Sequence, residues 1–129
     1  MRITVLIAAL TLAATAAHAD PVEGVWQTPL DDNGNFGHIR ISPCGAALCG
    51  TLIRAYDGTG HQIDSDNVGK QIVWDMKPQG DGRYGQGKVW APDRDKTYNS
   101  KMALEGEFLS VSGCVIGICR DGGRWKRVQ

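Results

Sequence analysis

Short runs of β-branched and aromatic residues, each followed by a turn signal, recur along this chain from about residue 20 onwards. Long 3.6-residue periodicity, which indicates amphipathic helices, is absent from the same region. Short strands at such spacing are typical of an all-β sandwich or barrel. Eight segments have this character: residues 22–28, 36–42, 48–56, 71–77, 83–91, 97–105, 108–114 and 123–129.

The connections between these segments are mostly short. Asn33-Gly34 is a tight-turn pair, and residues 78–82 and 105–107 have the composition of hairpin turns. Short links join antiparallel neighbours, and a meander of eight strands removes its exposed edges by closing on itself. We therefore predict an all-β fold, a small eight-stranded up-and-down antiparallel β-barrel. The one long connection, residues 57–70, is polar and glycine-rich and is predicted to be a surface loop.

The N-terminal segment differs from the rest of the chain. Arg2 precedes an apolar stretch, and Ala17-His18-Ala19 has the A-x-A form that signal peptidase cleaves. The stretch is short for a membrane span and ends in small residues. We predict a signal peptide over residues 1–19, cleaved after Ala19, and one domain over residues 20–129. The mature protein would then be periplasmic or secreted, with no membrane span.

Charge is balanced in this chain, with 14 Lys and Arg against 14 Asp and Glu. Both signs are scattered along the sequence. Binding to nucleic acid phosphates requires clustered Lys and Arg side chains. The sequence therefore predicts no nucleic-acid partner, and we expect a monomer.

Four cysteines form two C-x4-C pairs, Cys44 with Cys49 and Cys114 with Cys119. Zinc knuckles allow this spacing, whereas redox pairs are usually C-x-x-C at a helix N-terminus. Cysteines that face each other across a hairpin can instead form a disulfide. An even number of cysteines in a small exported domain favours this third interpretation. We predict the disulfides Cys44–Cys49 and Cys114–Cys119, with no metal and no cofactor.

Three stretches together resemble a known family. They are GVWQT from Gly24, ISPCGAALCGTLIRA from Ile41, and GKVWAPDRDKTYNSKMALEGEFLSVSGC from Gly87, which leads to GRWKRV. They resemble the small secreted bacterial proteins grouped as the domain of unknown function 2147. The segment from Trp90 to Lys101 is the most specific part. This chain departs from the family pattern at Asp95, where glycine is usual, and in the second cysteine of the later turn.

The resemblance implies a lipocalin-like or calycin-like barrel with a cavity for a small ligand. Gly24 and Trp26 look like the G-x-W motif of lipocalins. In that fold the Trp packs at the barrel floor against a basic side chain from the last strand. Arg127, or alternatively Arg124, would supply this cation–π contact here.

Two groups of residues are candidates for ligand binding. The Pro-Asp turn after Trp90 places several polar side chains close together, although Pro and Asp are also ordinary turn formers. Aromatic and Met side chains on the strands would line or plug the interior, because an eight-stranded barrel has room for packed side chains or one small ligand. The predicted ligand-binding residues are Trp74, Tyr84, Trp90, Asp93, Tyr98, Lys101 and Met102.

The leading functional hypothesis is a barrel that binds a small, partly apolar ligand. The alternative is a non-catalytic envelope module with a filled barrel, whose outer surface docks another protein. A hydrolase of unknown substrate ranks third. No G-x-S-x-G motif is present, and only His38 and His61 lie beyond the predicted signal peptide. We assign no catalytic residue. The Asp-rich loop at residues 57–70 lacks the order of calcium ligands in an EF-hand.

Overall fold

A computed structural model describes residues 3–10 and 19–129 of the chain. Residues 3–10 are irregular and exposed, and Ala17 and His18 of the predicted cleavage motif lie outside the described residues. Within the described ranges, no helix is long and apolar enough to cross a membrane. The strands are β1 Gly24–Gln27, β2 Phe36–Cys44, β3 Ala47–Tyr56, β4 Gln62–Ile63, β5 Gln71–Gly80, β6 Arg83–Ala91, β7 Lys96–Glu105, β8 Phe108–Val115 and β9 Ile118–Arg127.

Eight of these strands form a closed antiparallel barrel. Neighbours in sequence pair along the order β1, β2, β3, β5, β6, β7, β8, β9, and β9 returns to pair with β1 through Trp26 and Arg127. The predicted up-and-down barrel is confirmed. The structure adds β4, a two-residue strand that pairs with Ala55 and Tyr56 at the end of β3. This part of the long loop was expected to contain no strand.

The strands run alternately up and down, so their connections gather at two ends of the barrel. The open end carries the connections at residues 28–35, 57–70, 92–95 and 116–117. The closed end carries the turns at residues 45–46, 81–82 and 106–107, together with both flanks of the domain. Each end has one disulfide: Cys44–Cys49 lies near the closed end and Cys114–Cys119 near the open end. Both bonds have the predicted pairing.

Large side chains fill the half of the barrel next to the closed end. Inward-facing positions on seven strands contribute to this packed half, because alternate residues of a strand point to the same face. Dense packing of this kind leaves few voids larger than a water molecule. The side chains that make up the packed half, each almost completely buried, are Trp26, Ile41, Leu48, Met76, Tyr84, Met102 and Leu109.

Trp26 closes the barrel floor. Its Nε1 donates a hydrogen bond to the Val22 carbonyl at 2.8 Å, and the Arg127 guanidinium lies 4.3 Å above its ring. Arg127 also donates to the Glu23 carbonyl at 3.0 Å. At Gly24 the backbone has φ +138°, and a Cβ would lie 2.3 Å from the Gln129 carbonyl oxygen. The predicted contact among Gly24, Trp26 and Arg127 is thus present in the structure.

Arg124, the alternative partner for Trp26, lies elsewhere. Its guanidinium stacks over the Phe108 ring at 4.4 Å, on the neighbouring strand β8. Arg124 and Arg127 are an odd number of residues apart on β9, so they point to opposite faces of the strand. Only Arg127 is therefore placed to cover the floor.

Strands β5 and β6 share a kink near their middle. Asp75 and Gln86 both adopt left-handed backbone conformations, with φ of 54° and 58°. Beside the kink, a Cβ on Gly87 would lie 2.8 Å from the Trp74 carbonyl oxygen and 2.9 Å from the Met76 side chain. Glycine is therefore needed there for close approach of the two strands. The kink shifts the alternation along β6, which brings Tyr84 into the packed half.

We expect Tyr84 to make the protein sensitive to alkaline pH. Its hydroxyl donates to the Asp20 carboxylate, and burial followed by this bond raises its pKa well above the ordinary value of 10.0. Above that value the unfolded state loses its proton first, so the free energy of unfolding falls by up to about 1.4 kcal/mol per pH unit. Below the ordinary pKa of 10.0, the contribution of Tyr84 to the free energy of unfolding is fully present. Urea titrations from about pH 8 to about pH 11 measure the slope.

Tyr84→Phe should flatten the alkaline slope, because phenylalanine has no proton to lose. Tyr98→Phe is the matched control, because it removes a tyrosine hydroxyl at the open end of the barrel, away from Asp20. An unchanged slope in Tyr84→Phe would contradict the assignment. The comparison also separates tyrosine ionisation from general alkaline damage, which affects all three proteins alike.

Candidate functional site: the barrel cavity

The half of the barrel next to the open end encloses a cavity of about 1040 Å³. The packed half forms its base, and the connections of the open end surround its mouth. Its walls are mainly apolar because the inward positions of the strands carry aliphatic and aromatic residues. The principal wall residues are Ile39, Leu52, Ala55, Ile72, Val89, Val111 and Trp125.

Small residues in the cavity wall allow larger neighbouring side chains to pack close to the strands. Gly37, Ala55 and Gly113 all line the cavity. A Cβ at Gly37 would lie 2.5 Å from Leu52 Cδ1, and one at Gly113 would lie 3.3 Å from Tyr98 Cβ. Leu52 and Tyr98 therefore occupy the space beside these two glycines and pack closely against the cavity wall.

A cluster that we call the mouth clasp, formed by Asp32, Asp93 and Arg94, spans the opening. The Asp32 amide donates to Asp93 Oδ2 at 3.0 Å, and Arg94 Nε donates to Asp32 Oδ2 at 3.0 Å. Hydrogen bonds to Asp32 and then to Tyr98 raise the pKa of the Arg94 guanidinium. The β1–β2 loop and the β6–β7 turn follow opposite walls of the eight-stranded ring. The clasp therefore connects opposite sides of the mouth.

The β1–β2 loop is held in shape by its own hydrogen bonds. Asp31 Oδ1 accepts from the amides of Asn33 and Asn35, at 2.8 and 3.0 Å. The Asp31 amide donates to the Asn35 carbonyl, and Gly34 supplies a positive φ of 77°. These bonds form the turn that the DDNGN sequence predicts. They present Asp32 to the clasp in a defined position.

Three of the predicted ligand-binding residues line the cavity: Trp90, Asp93 and Tyr98. Asp93 is part of the mouth clasp, and Tyr98 forms a hydrogen bond with Arg94 of the clasp. Trp90 is half-buried; its Nε1 donates to Asp95 Oδ1 at 2.9 Å, and the Lys70 ammonium lies 5.5 Å from its ring. The predicted polar rim after Trp90 is therefore located at the barrel mouth.

The other four predicted residues lie outside the cavity lining. Tyr84 and Met102 belong to the packed half, because they sit on the closed-end portions of β6 and β7. Lys101 is exposed, since it alternates with the inward-facing Ser100 and Met102. Trp74 is half-buried and pairs with Lys88 beside the kink. The alternation of residues along a strand did not show whether an inward-facing side chain lies in the packed half or in the cavity. It also did not predict the kink.

Several wall residues were not identified from the sequence, and Trp125 is the most informative. It is almost completely buried and lines the cavity. Residues that are two apart on a strand point to the same face. Leu109 and Val111 on β8 therefore both point inward, and a residue of β9 that pairs with one of them points inward as well. Trp125 pairs directly with Leu109. This register was the signal that could have identified it.

Outside the barrel, His38 belongs to an aromatic cluster rather than to the cavity. Its ring is 4.6 Å from that of Tyr56, which stacks on Phe36 at 5.0 Å. Its Nε2 lies 3.2 Å from Gln27 Oε1. Burial, and to a lesser extent the Arg54 charge, lowers the His38 pKa. Among the residues that the structure describes, no group of three or more His, Cys, Asp or Glu is arranged to hold a metal ion.

An eight-stranded antiparallel barrel with a Trp and Arg floor and an open cavity defines a lipocalin-like protein. A solved structure described as "Protein HP1028 from the human pathogen Helicobacter pylori belongs to the lipocalin family" is similar, with a TM-score of 0.67. The two share 15% sequence identity, over 84% of this chain and 83% of that one. At this identity the likeness shows the fold alone.

Residues 24–127 match the family model described as "Uncharacterized protein conserved in bacteria (DUF2147)". The chain therefore belongs to this family, and the resemblance noted in the sequence is confirmed. No curated protein sequence matches the chain.

Proposed function

We propose that this protein binds one small, partly apolar molecule in the barrel cavity. The observation that carries the proposal is the cavity itself, about 1040 Å³ with mainly apolar walls. Pockets for small ligands occupy roughly 300–1,000 Å³ and combine apolar walls with a few polar groups. A binding role is also in keeping with a lipocalin-like fold, which is typically non-catalytic.

The distribution of side chains suggests how such a ligand would lie. Val111 and Trp125 line the walls and would contact its apolar part. Asp93, Arg94 and Tyr98 lie at the mouth and would bind a polar group on the ligand. Burial of apolar ligand surface would supply most of the affinity, at roughly 25 cal/mol per Å² before the cost of association.

We propose in addition that the protein acts in the periplasm or after secretion. The predicted signal peptide over residues 1–19 supports this location. The two disulfides support it as well, because disulfides persist in oxidising compartments and are rare in the cytosol. Recovery of the protein in the cytoplasmic fraction, with residues 1–19 still attached, would contradict it.

Filling the cavity should abolish ligand binding. We expect Ala55→Phe to weaken binding of the apolar fluorescent probe N-phenyl-1-naphthylamine by at least about tenfold, or about 1.4 kcal/mol. Ala55 lines the cavity, so the added ring would occupy the space of the probe. The measurement is probe fluorescence, with energy transfer from the tryptophans, in protein recovered from the periplasmic fraction of an expressing bacterium.

Ala46→Phe is the matched control, because Ala46 lies in an exposed turn at the closed end. It should bind the probe as the wild type does. Both variants are checked for an unchanged circular dichroism spectrum. If Ala55→Phe binds the probe like the wild type, or if both variants lose binding equally, the probe does not occupy the cavity.

A further inference from the structure

The turn between β8 and β9 carries a group of exposed aliphatic side chains that we call the apolar tip: Val115, Ile116 and Ile118. Their exposed fractions are 54%, 95% and 70%. Leu30, on the β1–β2 loop of the same end, is 60% exposed. Scattered single apolar residues are normal on a protein surface, whereas contiguous groups mark sites of interaction.

Ile116 has an unfavourable backbone conformation as well as an unfavourable exposure. With Gly117 it forms a two-residue hairpin loop, and their φ values are 49° and 74°. A β-branched residue with positive φ is a genuine outlier, and Asn or Asp is the usual choice there. The chain itself uses Asp81-Gly82, with φ of 54° and 71°, for the hairpin between β5 and β6. The sequence at Ile116 is therefore explained by neither turn formation nor solubility.

The apolar tip is continuous with the cavity and firmly held. Val115, Ile116 and Ile118 all belong to the cavity lining at the mouth. The Cys114–Cys119 disulfide joins the two strands at the base of the tip, where the Cα atoms are 4.0 Å apart. The apolar walls of the barrel thus extend beyond the mouth on a braced hairpin. A molecule leaving an apolar phase would meet the tip first and the cavity next.

We propose that the apolar tip inserts into the surface of a zwitterionic phospholipid bilayer, with the cavity mouth facing the lipid. Charge on the open end selects this kind of surface. Its connections at residues 28–35, 57–70 and 92–95 carry seven aspartates against Lys70 and Arg94. The flanking residues Lys96, Arg120 and Asp121 leave this excess negative. Such an end is repelled by anionic lipids, whereas a zwitterionic surface has no net charge to oppose its approach. This docking goes beyond ligand binding and does not require an occupied cavity.

Vesicle flotation with phosphatidylcholine tests the proposal. The full protein should float with the vesicles, and Ile116→Asn should reduce its partition coefficient by at least about tenfold, since an exposed aliphatic anchor is replaced by a polar amide. Asn tolerates positive φ better than Ile. The variant should therefore unfold at the same temperature as the wild type or higher, so a loss of flotation cannot reflect misfolding.

Val128→Asn is the matched control, because Val128 is 39% exposed near the closed end; it should float like the wild type. All proteins are compared in the same processed form, and mass spectrometry checks that residues 1–19 are absent, so that this apolar segment cannot bind the vesicles itself. Phosphatidylglycerol vesicles should bind the wild type more weakly, and added salt should reduce this difference. Ala55→Phe should still float, which separates docking from failure of the cavity proposal.

Several results would overturn the docking proposal. They are a wild type that stays at the bottom of the gradient, equal flotation of Ile116→Asn, equal loss in Val128→Asn, and tighter binding to phosphatidylglycerol. Sedimentation velocity could give one further result against the proposal. A concentration-dependent dimer that Ile116→Asn abolishes would assign the apolar tip to a second copy of the chain instead of a bilayer.

Discussion

Replacing Trp26 with alanine should lower the free energy of unfolding by about 3–5 kcal/mol. Trp26 is completely buried at the barrel floor, between the packed half and residues 20–23. The substitution leaves a cavity in the floor and removes both the bond to the Val22 carbonyl and the stacking of Arg127. The expected fall in the midpoint of thermal unfolding is at least about 12 °C, because each kcal/mol shifts a small domain by about 4–8 °C.

Trp26→Phe separates the contributions at this site. Phenylalanine keeps most of the apolar volume and a ring for Arg127, but it cannot donate to the Val22 carbonyl. We expect its loss of stability to be less than half that of Trp26→Ala. Urea unfolding followed by circular dichroism measures both variants. A loss below about 1 kcal/mol in Trp26→Ala would show that the floor does not hold the barrel closed.

Removing both disulfides should lower the free energy of unfolding by about 4 kcal/mol. Each bond closes a loop of six residues from cysteine to cysteine, for which the chain-entropy model gives about 2 kcal/mol. A domain of this size has a total stability of about 5–15 kcal/mol. The variant with all four cysteines changed to alanine should therefore unfold at a much lower urea concentration.

The two double variants distinguish the roles of the bonds. Cys44→Ala with Cys49→Ala affects the closed end and should reduce stability alone. Cys114→Ala with Cys119→Ala should also weaken vesicle binding, because the apolar tip loses its brace. The intact mass of the unreduced wild type should be lower by four hydrogens than that of the reduced protein. A wild type that contains four free thiols would contradict both assignments.

Local patterns in the sequence were sufficient to predict the eight strands of the barrel and their order, although not the short strand β4. Asn33-Gly34 and the short turns specify antiparallel neighbours, and eight such neighbours close into a ring. The hairpin positions of Cys44 with Cys49, and of Cys114 with Cys119, specify the disulfide pairing. The predicted contact between Trp26 and Arg127 came from the resemblance, which identified a motif and its partner strand. Each of these inferences depends on residues that are close in sequence or belong to a recognised motif.

The ligand-binding prediction was less complete because it depends on depth within the barrel. Tyr84 and Trp90 share a parity on β6, yet Tyr84 lies in the packed half and Trp90 lines the cavity. Parity specifies the face of a strand and carries no information about its level along the barrel axis. The kink at Gln86 further changes the alternation between these two residues. Beside the kink, Gly87 packs closely against Trp74 and Met76 of the neighbouring strand.

The sequence by itself determined the closed barrel and the two disulfides, and the family resemblance added the Trp26 floor. Strand periodicity, turn residues and motif spacing are local, so they can be interpreted without coordinates. Only the tertiary structure decided that one half of the barrel is filled while the other encloses a cavity. It also decided that the mouth clasp and the apolar tip lie at the same end. These features depend on the summed volumes and relative heights of side chains from strands distant in sequence, which are brought together when the barrel closes.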